Sequence, residues 1–229
     1  MPRIARAVVP GIAHHVTQRG NRREDIFFAE ADRQRYLQLR LAYSSKHGLK
    51  VLAYCLMTNH VHLVCIPEKV QTSGSVFRPL DLRYTQHINL SLGVTGRLWQ
   101  GRPFSCALDD EHLIAAVRYV ERNPVRARMV RKGEHYPWSS AAAHCGLRAD
   151  PLLSPLHGLV PVRTEDWSSW LAEKEDEGLL ATIRLHTRTG RPAGDKRFVS
   201  VLESRLGRRL QARSIGRPRK GKTKALPKR

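Results

Sequence analysis

The stretch LKVLAYCLMTNHVHLVCIP, residues 49–67, constrains the fold of this chain more than any other feature of the sequence. Two apolar runs, 49–57 and 60–67, flank the dipeptide Thr58-Asn59, and asparagine is a residue that favours turns. Each run has the length and the apolar character of a buried strand. The stretch therefore predicts a β-hairpin.

Two histidines interrupt the apolar pattern of the second strand. Side chains alternate between the two faces along a strand, so His60 and His62 point to the same side, about 7 Å apart along the strand. A strand that presents two imidazoles on one face can bind one metal cation. The alternative is a pair of polar residues on a solvated face, and the pattern alone is compatible with both.

Patterns on both sides of the hairpin indicate further strands and helices. The predicted order is β-α-β-β-α-β-α, which is typical of an α+β fold with a ferredoxin-like or RRM-like antiparallel sheet and helices on one face. A basic C-terminal tail, partly helical and partly disordered, follows this unit. Strands are predicted at 11–19, 49–57, 60–67 and 104–108, and helices at 32–48, within 80–93, at 110–123, at 137–146 and at about 196–211.

Positive charge is concentrated in the last fifth of the chain. The 229 residues include 40 Lys and Arg against 20 Asp and Glu, which gives a net charge of +20. Residues 184–229 contain 16 of these basic residues and only two acidic ones, Asp195 and Glu203. A basic arm of this kind favours a polyanionic partner, either nucleic acid or an anionic membrane surface.

The predicted elements and the basic tail together suggest how the chain is organised. We expect one domain over residues 1–150 and a basic extension over residues 151–229. The extension should contain the helix at about 196–211. Its end, about 214–229, has few large apolar side chains and is expected to be disordered when free.

Other features bear on the compartment of the protein. No apolar run reaches about 18 residues, and the basic N-terminus lacks the long apolar core of a signal peptide. The four cysteines show no C-x-x-C pairing, as expected for free thiols in a reducing compartment. We therefore expect a cytoplasmic, nucleoid-associated protein.

The helix predicted at 110–123 carries a further candidate for chemistry. At about 100° per residue, Tyr119 and Asn123 lie on the flank of its apolar stripe. Tyr119 can therefore carry its hydroxyl past the edge of the core, and Asn123 offers an amide oxygen about one turn later. The alternative is a partly buried tyrosine followed by an asparagine that ends the helix before Pro124. Among the other tyrosines, Tyr84 is the one serious rival.

Four motifs, in this order and at this spacing, resemble the single-tyrosine HUH transposases: TNHVHLV, LWQGR, RYVERNPVRARMV and HYPWSS. The stretch GIAHHVTQRGNRREDIFF followed by DRQRYLQL is similar to the bacterial REP-associated tyrosine transposases within that group. The close resemblance covers about residues 10–150. It implies that His60-Val61-His62 is the HUH motif, that Tyr119 is the nucleophile, and that Asn123 is the third metal position.

The resemblance also implies an activity. It predicts a metal-dependent endonuclease and strand transferase that acts on single-stranded DNA at hairpin-forming, REP-type repeats through a covalent 5′-phosphotyrosine intermediate. Mg²⁺ or Mn²⁺ is the expected cofactor, because two imidazoles and an amide suit Mn²⁺ while Mg²⁺ is abundant in cells. We expect hairpin DNA as the partner, no membrane, and a monomer, with a dimer as the alternative.

The turn RGNRRED after the first predicted strand is one candidate for contacting DNA. Its Arg19, Asn21, Arg22 and Arg23 crowd three cations and an amide beside the strand. In the family this region contributes to reading a short sequence near the foot of a hairpin. An exposed, solvated turn is the alternative.

Two further segments combine cations with features that bind nucleic acid. In RLWQGR, an unpaired base stacked on Trp99 between Arg97 and Arg102 would contribute roughly 1–3 kcal/mol, and a core tryptophan is the alternative. In IGRPRKGK, Arg217 and Arg219 resemble an AT-hook that lies in the minor groove. A generic phosphate-binding tail explains the same residues.

Three other functions are compatible with parts of this pattern. A non-catalytic DNA-binding protein or repressor would account for the basic tail and would have no need of Tyr119 with the two histidines. A relaxase or replication-initiator nickase would use the same chemistry, but a lone tyrosine and the lack of a helicase domain disfavour it. A zinc hydrolase would need a third ligand and a general base, and no H-E-x-x-H motif is present.

Overall fold

The computed structural model of this chain describes residues 7–156 and 158–211. Four antiparallel strands form a sheet with the order β2-β3-β1-β4. The second and third strands along the chain, β2 and β3, form the predicted hairpin. The Met57 N–H donates to the His60 carbonyl at 2.9 Å and closes its turn. The strands are β1 (His14–Arg19), β2 (Leu49–Leu56), β3 (His60–Pro67) and β4 (Phe104–Ala107).

Eight helices surround this sheet within the described residues. They are α1 (Glu30–His47), α2 (Thr72–Leu92), α3 (Asp110–Glu121), α4 (Asn123–Arg126), α5 (Ala141–His144), α6 (Trp167–Ala172), α7 (Glu177–Thr189) and α8 (Lys196–Leu206). No helix in the described part of the chain is both long and apolar enough to cross a membrane.

Five of these helices were predicted at their observed places. The helix predicted within 80–93 begins earlier, at Thr72, because Gly74 and Pro79 interrupt the sequence pattern without ending the helix. The helices α4, α6 and α7 were not predicted. The predicted α+β class with an antiparallel, ferredoxin-like sheet is confirmed.

One face of the sheet packs against α1 and α2. Val61 and Leu63 of β3 lie in a buried cluster with Tyr36 of α1 and with Leu80 and Tyr84 of α2. The Tyr84 hydroxyl donates to the Ile26 carbonyl at 2.7 Å. This side of the molecule is the predicted arrangement of helices on one face of the sheet.

The opposite face of the sheet packs against α3 and α7. Val64 of β3 shares a second buried cluster with Val117 of α3 and with Leu180 and Ile183 of α7. The structure therefore adds, on the second face, a layer that includes a helix from the basic extension. The residues that alternate with Val61 and Leu63 along β3 point into this layer.

The end of α3 is a junction between two helices. The sequence predicts one helix over 110–123, but α3 ends at Glu121 and the short helix α4 begins at Asn123. Pro124 lies in the first turn of α4, where its missing N–H costs no hydrogen bond. The chain therefore begins a new helical turn at Pro124, where the sequence suggested that the helix would end.

A buried carboxylate anchors this junction. Glu121 is fully buried and accepts hydrogen bonds from the Ser140 hydroxyl, from His144 Nδ1 at 2.6 Å and from Trp167 Nε1 at 2.7 Å. Because a buried charge requires several partners, these contacts hold α3 in a fixed position against α5 and α6. The extension thus packs directly against the first 150 residues.

Candidate active site

A cavity of about 480 Å³ opens where β1 ends and β3 begins. The sheet and its adjoining turn contribute most of the side chains around it, and α3 and α7 close the other side. It is lined by His15, Thr17, Arg19, Arg23, Asn59, His60, His62, Phe104, Tyr119, Arg184, Thr187 and Arg188. The structure thereby brings together His60, His62, Tyr119, Arg19 and Arg23 of the predicted site.

The hydrogen bond of His60 defines which of its nitrogens is available. His60 Nδ1 lies 2.6 Å from Asn59 Oδ1. The Asn59 amide nitrogen donates to the Arg23 carbonyl at 3.0 Å, which fixes the orientation of the amide and leaves Oδ1 as the acceptor. His60 therefore carries its proton on Nδ1, and its Nε2 lone pair remains for a ligand.

His62 also has its Nδ1 beside a fixed partner. Its Nδ1 lies 3.0 Å from His15 Nε2, and the two rings are nearly parallel, with centroids 5.2 Å apart. The rings of His60 and His62 have centroids 4.9 Å apart at an interplanar angle of 79°. Histidines that bind metals usually donate their other ring nitrogen to a fixed partner, and both residues have such a partner at Nδ1.

Burial keeps both imidazoles neutral. Burial, with a contribution from the Arg19 guanidinium, lowers the pKa of His60 to about 4. Burial, with contributions from His15, His60 and Arg126, holds the pKa of His62 well below its usual 6.5. Only an unprotonated imidazole can bind a metal, so the pair is in the binding-competent form at neutral pH.

Tyr119 faces the two histidines from α3. Its side chain is 9% exposed, and its ring centroid lies 5.5 Å from that of His62 and 5.7 Å from that of His15. Two guanidinium groups lie against the tyrosine ring, Arg126 at 4.1 Å and Arg184 at 5.4 Å from the centroid. The rival nucleophile, Tyr84, is fully buried in the core on the other side of the sheet.

Asn123 lies outside the set of residues that line the cavity. Its side chain is buried, and its amide nitrogen donates to the Val120 carbonyl at 3.3 Å. Among the described residues, no three His, Cys, Asp or Glu side chains form a group that could hold a metal ion. A third protein ligand therefore has to be a different kind of side chain, and Asn123 remains the predicted one.

The turn after β1 is held tightly at the mouth of the cavity. Arg22 and Arg23 adopt positive φ angles of 51° and 68°, which are uncommon for residues other than glycine. Backbone hydrogen bonds hold the chain on both sides of this turn, from the Gly20 N–H to the Asn59 carbonyl at 2.9 Å before it and from the Ile26 N–H to the Thr58 carbonyl at 3.0 Å after it. Such strain is typical of functional turns.

The turn thus presents its arginines in different directions. Arg23 lines the cavity together with Arg19, whose guanidinium bonds Gln100 Oε1 at 2.9 Å and 3.2 Å. Arg22 is exposed and Asn21 is half-buried, and neither side chain lines the cavity. A role for Asn21 and Arg22 in contacting DNA stays a prediction.

The segment RLWQGR is divided between core and surface. Arg97 and Arg102 are exposed. Trp99 is only 8% exposed and packs against Tyr36 and Tyr84, with centroids 6.3 Å and 6.0 Å away. This placement is that of a core tryptophan, the alternative that the sequence left open. Base stacking on Trp99 stays a prediction, and the burial of the ring disfavours it. The two predicted arginines of the tail, Arg217 and Arg219, lie outside the described residues.

Seven residues of the cavity were not predicted from the sequence: His15, Thr17, Asn59, Phe104, Arg184, Thr187 and Arg188. His15 belongs to β1, one position beyond His14 in the pair of histidines at 14–15, and alternation along β1 places it on one face with Thr17 and Arg19. Arg184, Thr187 and Arg188 belong to α7, whose pattern EGLLATIRLHTRTG ends at a glycine and could have been read as a helix. The arginines of α7 were counted only as part of the basic tail.

The comparison with known families concerns the part of the chain that contains this site. The sequence model of a family described as transposase, IS200-like, matches residues 8–123, just over half of the chain. The chain belongs to this family. An IS200-like transposase is a DNA-acting enzyme, and the matched region includes His60, His62 and Tyr119.

One solved structure supports the fold of this IS200-like transposase. A REP-associated tyrosine transposase, solved bound to a REP hairpin, is 18% identical and matches with a TM-score of 0.51 over 68% of this chain and 92% of that chain. A protein described as a transposase from Deinococcus radiodurans is 16% identical, with a TM-score of 0.33 over 56% of this chain and 92% of that chain. No curated protein matches the chain in sequence.

Proposed function

We propose that this IS200-like transposase cleaves and rejoins single-stranded DNA at hairpin-forming repeats, through a covalent 5′-phosphotyrosine on Tyr119. The observation that carries the proposal is the convergence of Tyr119 with the two histidines in one cavity. His60 and His62 each have Nδ1 occupied by a fixed partner and Nε2 available. A protein that only binds DNA has no need of this arrangement.

The chemistry is a transesterification at phosphorus. The Tyr119 hydroxyl oxygen forms a bond to the scissile phosphorus as the bond from phosphorus to the 3′ oxygen breaks, and the proton of the tyrosine is balanced by the proton of the released 3′-OH. The energy of the phosphodiester is kept in the tyrosyl ester. Attack by another 3′-OH reverses the step and joins strands without ATP.

The side chains fit a divalent cation held by His60 and His62, with Asn123 as the proposed third ligand. When bound, Mg²⁺ or Mn²⁺ supplies neutralisation of negative charge on the scissile phosphate. Two imidazole nitrogens suit Mn²⁺ more than Mg²⁺. Either ion is expected to support activity, and a chelator is expected to abolish it.

The arginines around the cavity are the proposed DNA contacts. Arg19 and Arg23 lie on the sheet side, and Arg184 and Arg188 lie on α7 opposite them. A strand that enters between these pairs meets positive charge on both sides, which favours the phosphate backbone without reading its sequence. The likeness to a transposase solved with a REP hairpin supports a hairpin as the substrate.

The experiment uses labelled single-stranded hairpin oligonucleotides designed from a search for inverted repeats in the DNA that flanks the gene. Wild type, Tyr119→Phe and His62→Ala are incubated with Mg²⁺ or Mn²⁺, and a denaturing gel reports the protein–DNA adduct. We expect an adduct in the wild type alone, lost on adding EDTA. Hairpin binding without any adduct would overturn the proposal and favour a repressor, and an adduct in Tyr119→Phe would exclude this nucleophile.

A further inference from the structure

A chain of buried hydrogen bonds connects the helix α7 to the histidine motif. Thr187 Oγ1 of α7 lies 2.7 Å from His15 Nδ1, and His15 Nε2 lies 3.0 Å from His62 Nδ1. At the far end, Cys106 Sγ of β4 lies 3.1 Å from Thr187 Oγ1. All four side chains are buried. Three strands and one helix of the extension therefore meet in a single polar chain inside an apolar layer.

Such a chain has two proton arrangements. A neutral imidazole carries one N–H, so His62 is protonated either at Nδ1 or at Nε2. In the first arrangement His62 Nδ1–H donates to His15 Nε2, and His15 Nδ1–H donates to the Thr187 hydroxyl, which in turn donates to Cys106 Sγ. In the second arrangement every donor and acceptor is exchanged, and His62 presents an N–H to the cavity.

The two arrangements differ in what His62 can do. In the first, Nε2 offers a lone pair to the cavity and can bind a cation. In the second, Nε2 is a hydrogen-bond donor and cannot. The first arrangement requires the Thr187 hydroxyl, because without it the His15 Nδ1–H would be a buried donor with no acceptor.

We propose that His15 and Thr187 are positioning residues that hold His62 in its Nδ1–H tautomer, so that the helix α7 takes part in building the metal site. This inference rests on the proposed function and adds to it His15, inside the matched family region, and Thr187, outside that region. Thr187 lies 64 residues beyond the end of that region at residue 123.

The placement of α7 is rigid enough for this role. Its N-terminus is capped by Asp176, whose carboxylate accepts from the Gly178 N–H at 2.7 Å and from the Leu179 N–H at 3.0 Å. Its C-terminus ends at Gly190, which adopts the left-handed φ of 77° that glycine allows. Between these ends, Ile183 is fully buried beside α3. The hydroxyl of Thr187 is thus presented by a fixed element.

The test substitutes Thr187 in the full-length protein. Thr187→Val keeps the shape of the side chain and removes the hydroxyl, and Thr187→Ser restores a hydroxyl. Thr189→Val is the matched control, since Thr189 is a buried threonine on the same helix whose hydroxyl donates to the His186 carbonyl of its own helix at 3.3 Å. The readouts are Mn²⁺ affinity by electron paramagnetic resonance and the ring-nitrogen shifts of ¹⁵N-labelled His62.

We expect Thr187→Val to weaken Mn²⁺ binding by about 10-fold or more, as for partners that orient metal-binding histidines. The ¹⁵N shifts of its His62 should move toward the Nε2–H tautomer. Thr187→Ser should return both readouts to the wild-type values, and Thr189→Val should leave both unchanged.

Two results would overturn the inference: an Nε2–H tautomer of His62 in the metal-free wild type, or unchanged affinity and shifts in Thr187→Val. Either result leaves the proposed function standing if the wild type still forms its adduct. Conversely, a wild type that binds no Mn²⁺ contradicts the proposed metal-dependent function. In that case the His62 tautomer in Thr187→Val still decides whether the chain of hydrogen bonds acts as proposed.

Discussion

The two faces of strand β3 differ in what their side chains contact, although both are made by one stretch of eight residues. On one face, Val61 and Leu63 pack into the core beneath α1 and α2. On the other, His60 and His62 direct their rings to a cavity that α3 and α7 complete. The apolar face holds the strand in place against the core, and this fixes where the two imidazoles of the polar face lie in the cavity. Residues separated by one position therefore have different consequences when they are changed.

The largest expected effect is on the polar face. His60→Ala removes one of the two imidazoles, which has its Nδ1 2.6 Å from Asn59 Oδ1. A metal that stabilises charge in the transition state contributes several kcal/mol, so we expect adduct formation to fall by about 10³-fold or more. The melting temperature should change by only a few degrees, since His60 is only partly buried. Quantitative adduct gels and thermal unfolding give the two values.

A His60→Ala protein that keeps adduct formation within about 10-fold of the wild type would contradict the metal assignment. Asn59→Ala is the companion variant. It keeps both imidazoles and removes the acceptor that fixes the His60 tautomer. We expect it to weaken Mn²⁺ binding less than His60→Ala does.

The next effect belongs to the apolar face. Leu63→Ala removes a buried side chain from the cluster beneath α1 and α2. Large-to-small changes of this kind lower the free energy of unfolding by about 2–5 kcal/mol, through lost burial and the cavity that remains. Urea unfolding monitored by circular dichroism measures this change. The fraction that stays folded should bind Mn²⁺ with wild-type affinity, and a loss of affinity comparable to that of His60→Ala would show that the two faces are not independent.

The hairpin, the histidine pair and Tyr119 were predictable because each depends on a local period. Alternation along a strand places His60 and His62 on one side, and helical spacing places Tyr119 on the flank of its stripe. The contribution of His15 depends on a long-range register. Thr17 pairs with His62 across the sheet, so His15 is a diagonal neighbour of His62 on the same face. No local pattern contains that information.

The same reason explains what was missed in the extension and in RLWQGR. The sequence of α7 shows a helix, but the partner of its Thr187 lies 172 positions earlier in the chain. Trp99 has the flanking arginines of a base-stacking residue, and only the packing of α1 and α2 shows that its ring fills the core. Counting basic residues predicted a polyanionic partner and could not show that Arg184 lies over the ring of Tyr119.

The smallest expected effect is the share of one histidine in the pH dependence of stability, per pH unit, and it again distinguishes a change on the polar face of β3 from one on the apolar face. Burial lowers the pKa of His60 to about 4 and of His15 to about 3, whereas an unfolded histidine has a pKa of about 6.5. Between these values the unfolded chain holds protons that the folded protein lacks. The stability is therefore complete above about pH 6.5 and falls as the pH is lowered toward 4, by about 1.4 kcal/mol per pH unit for each such histidine. Urea unfolding at several pH values measures the slope. His60→Ala should reduce the slope by one histidine's share, and Leu63→Ala should lower stability equally at every pH. A slope that His60→Ala leaves unchanged would mean that this imidazole is not held neutral by the fold.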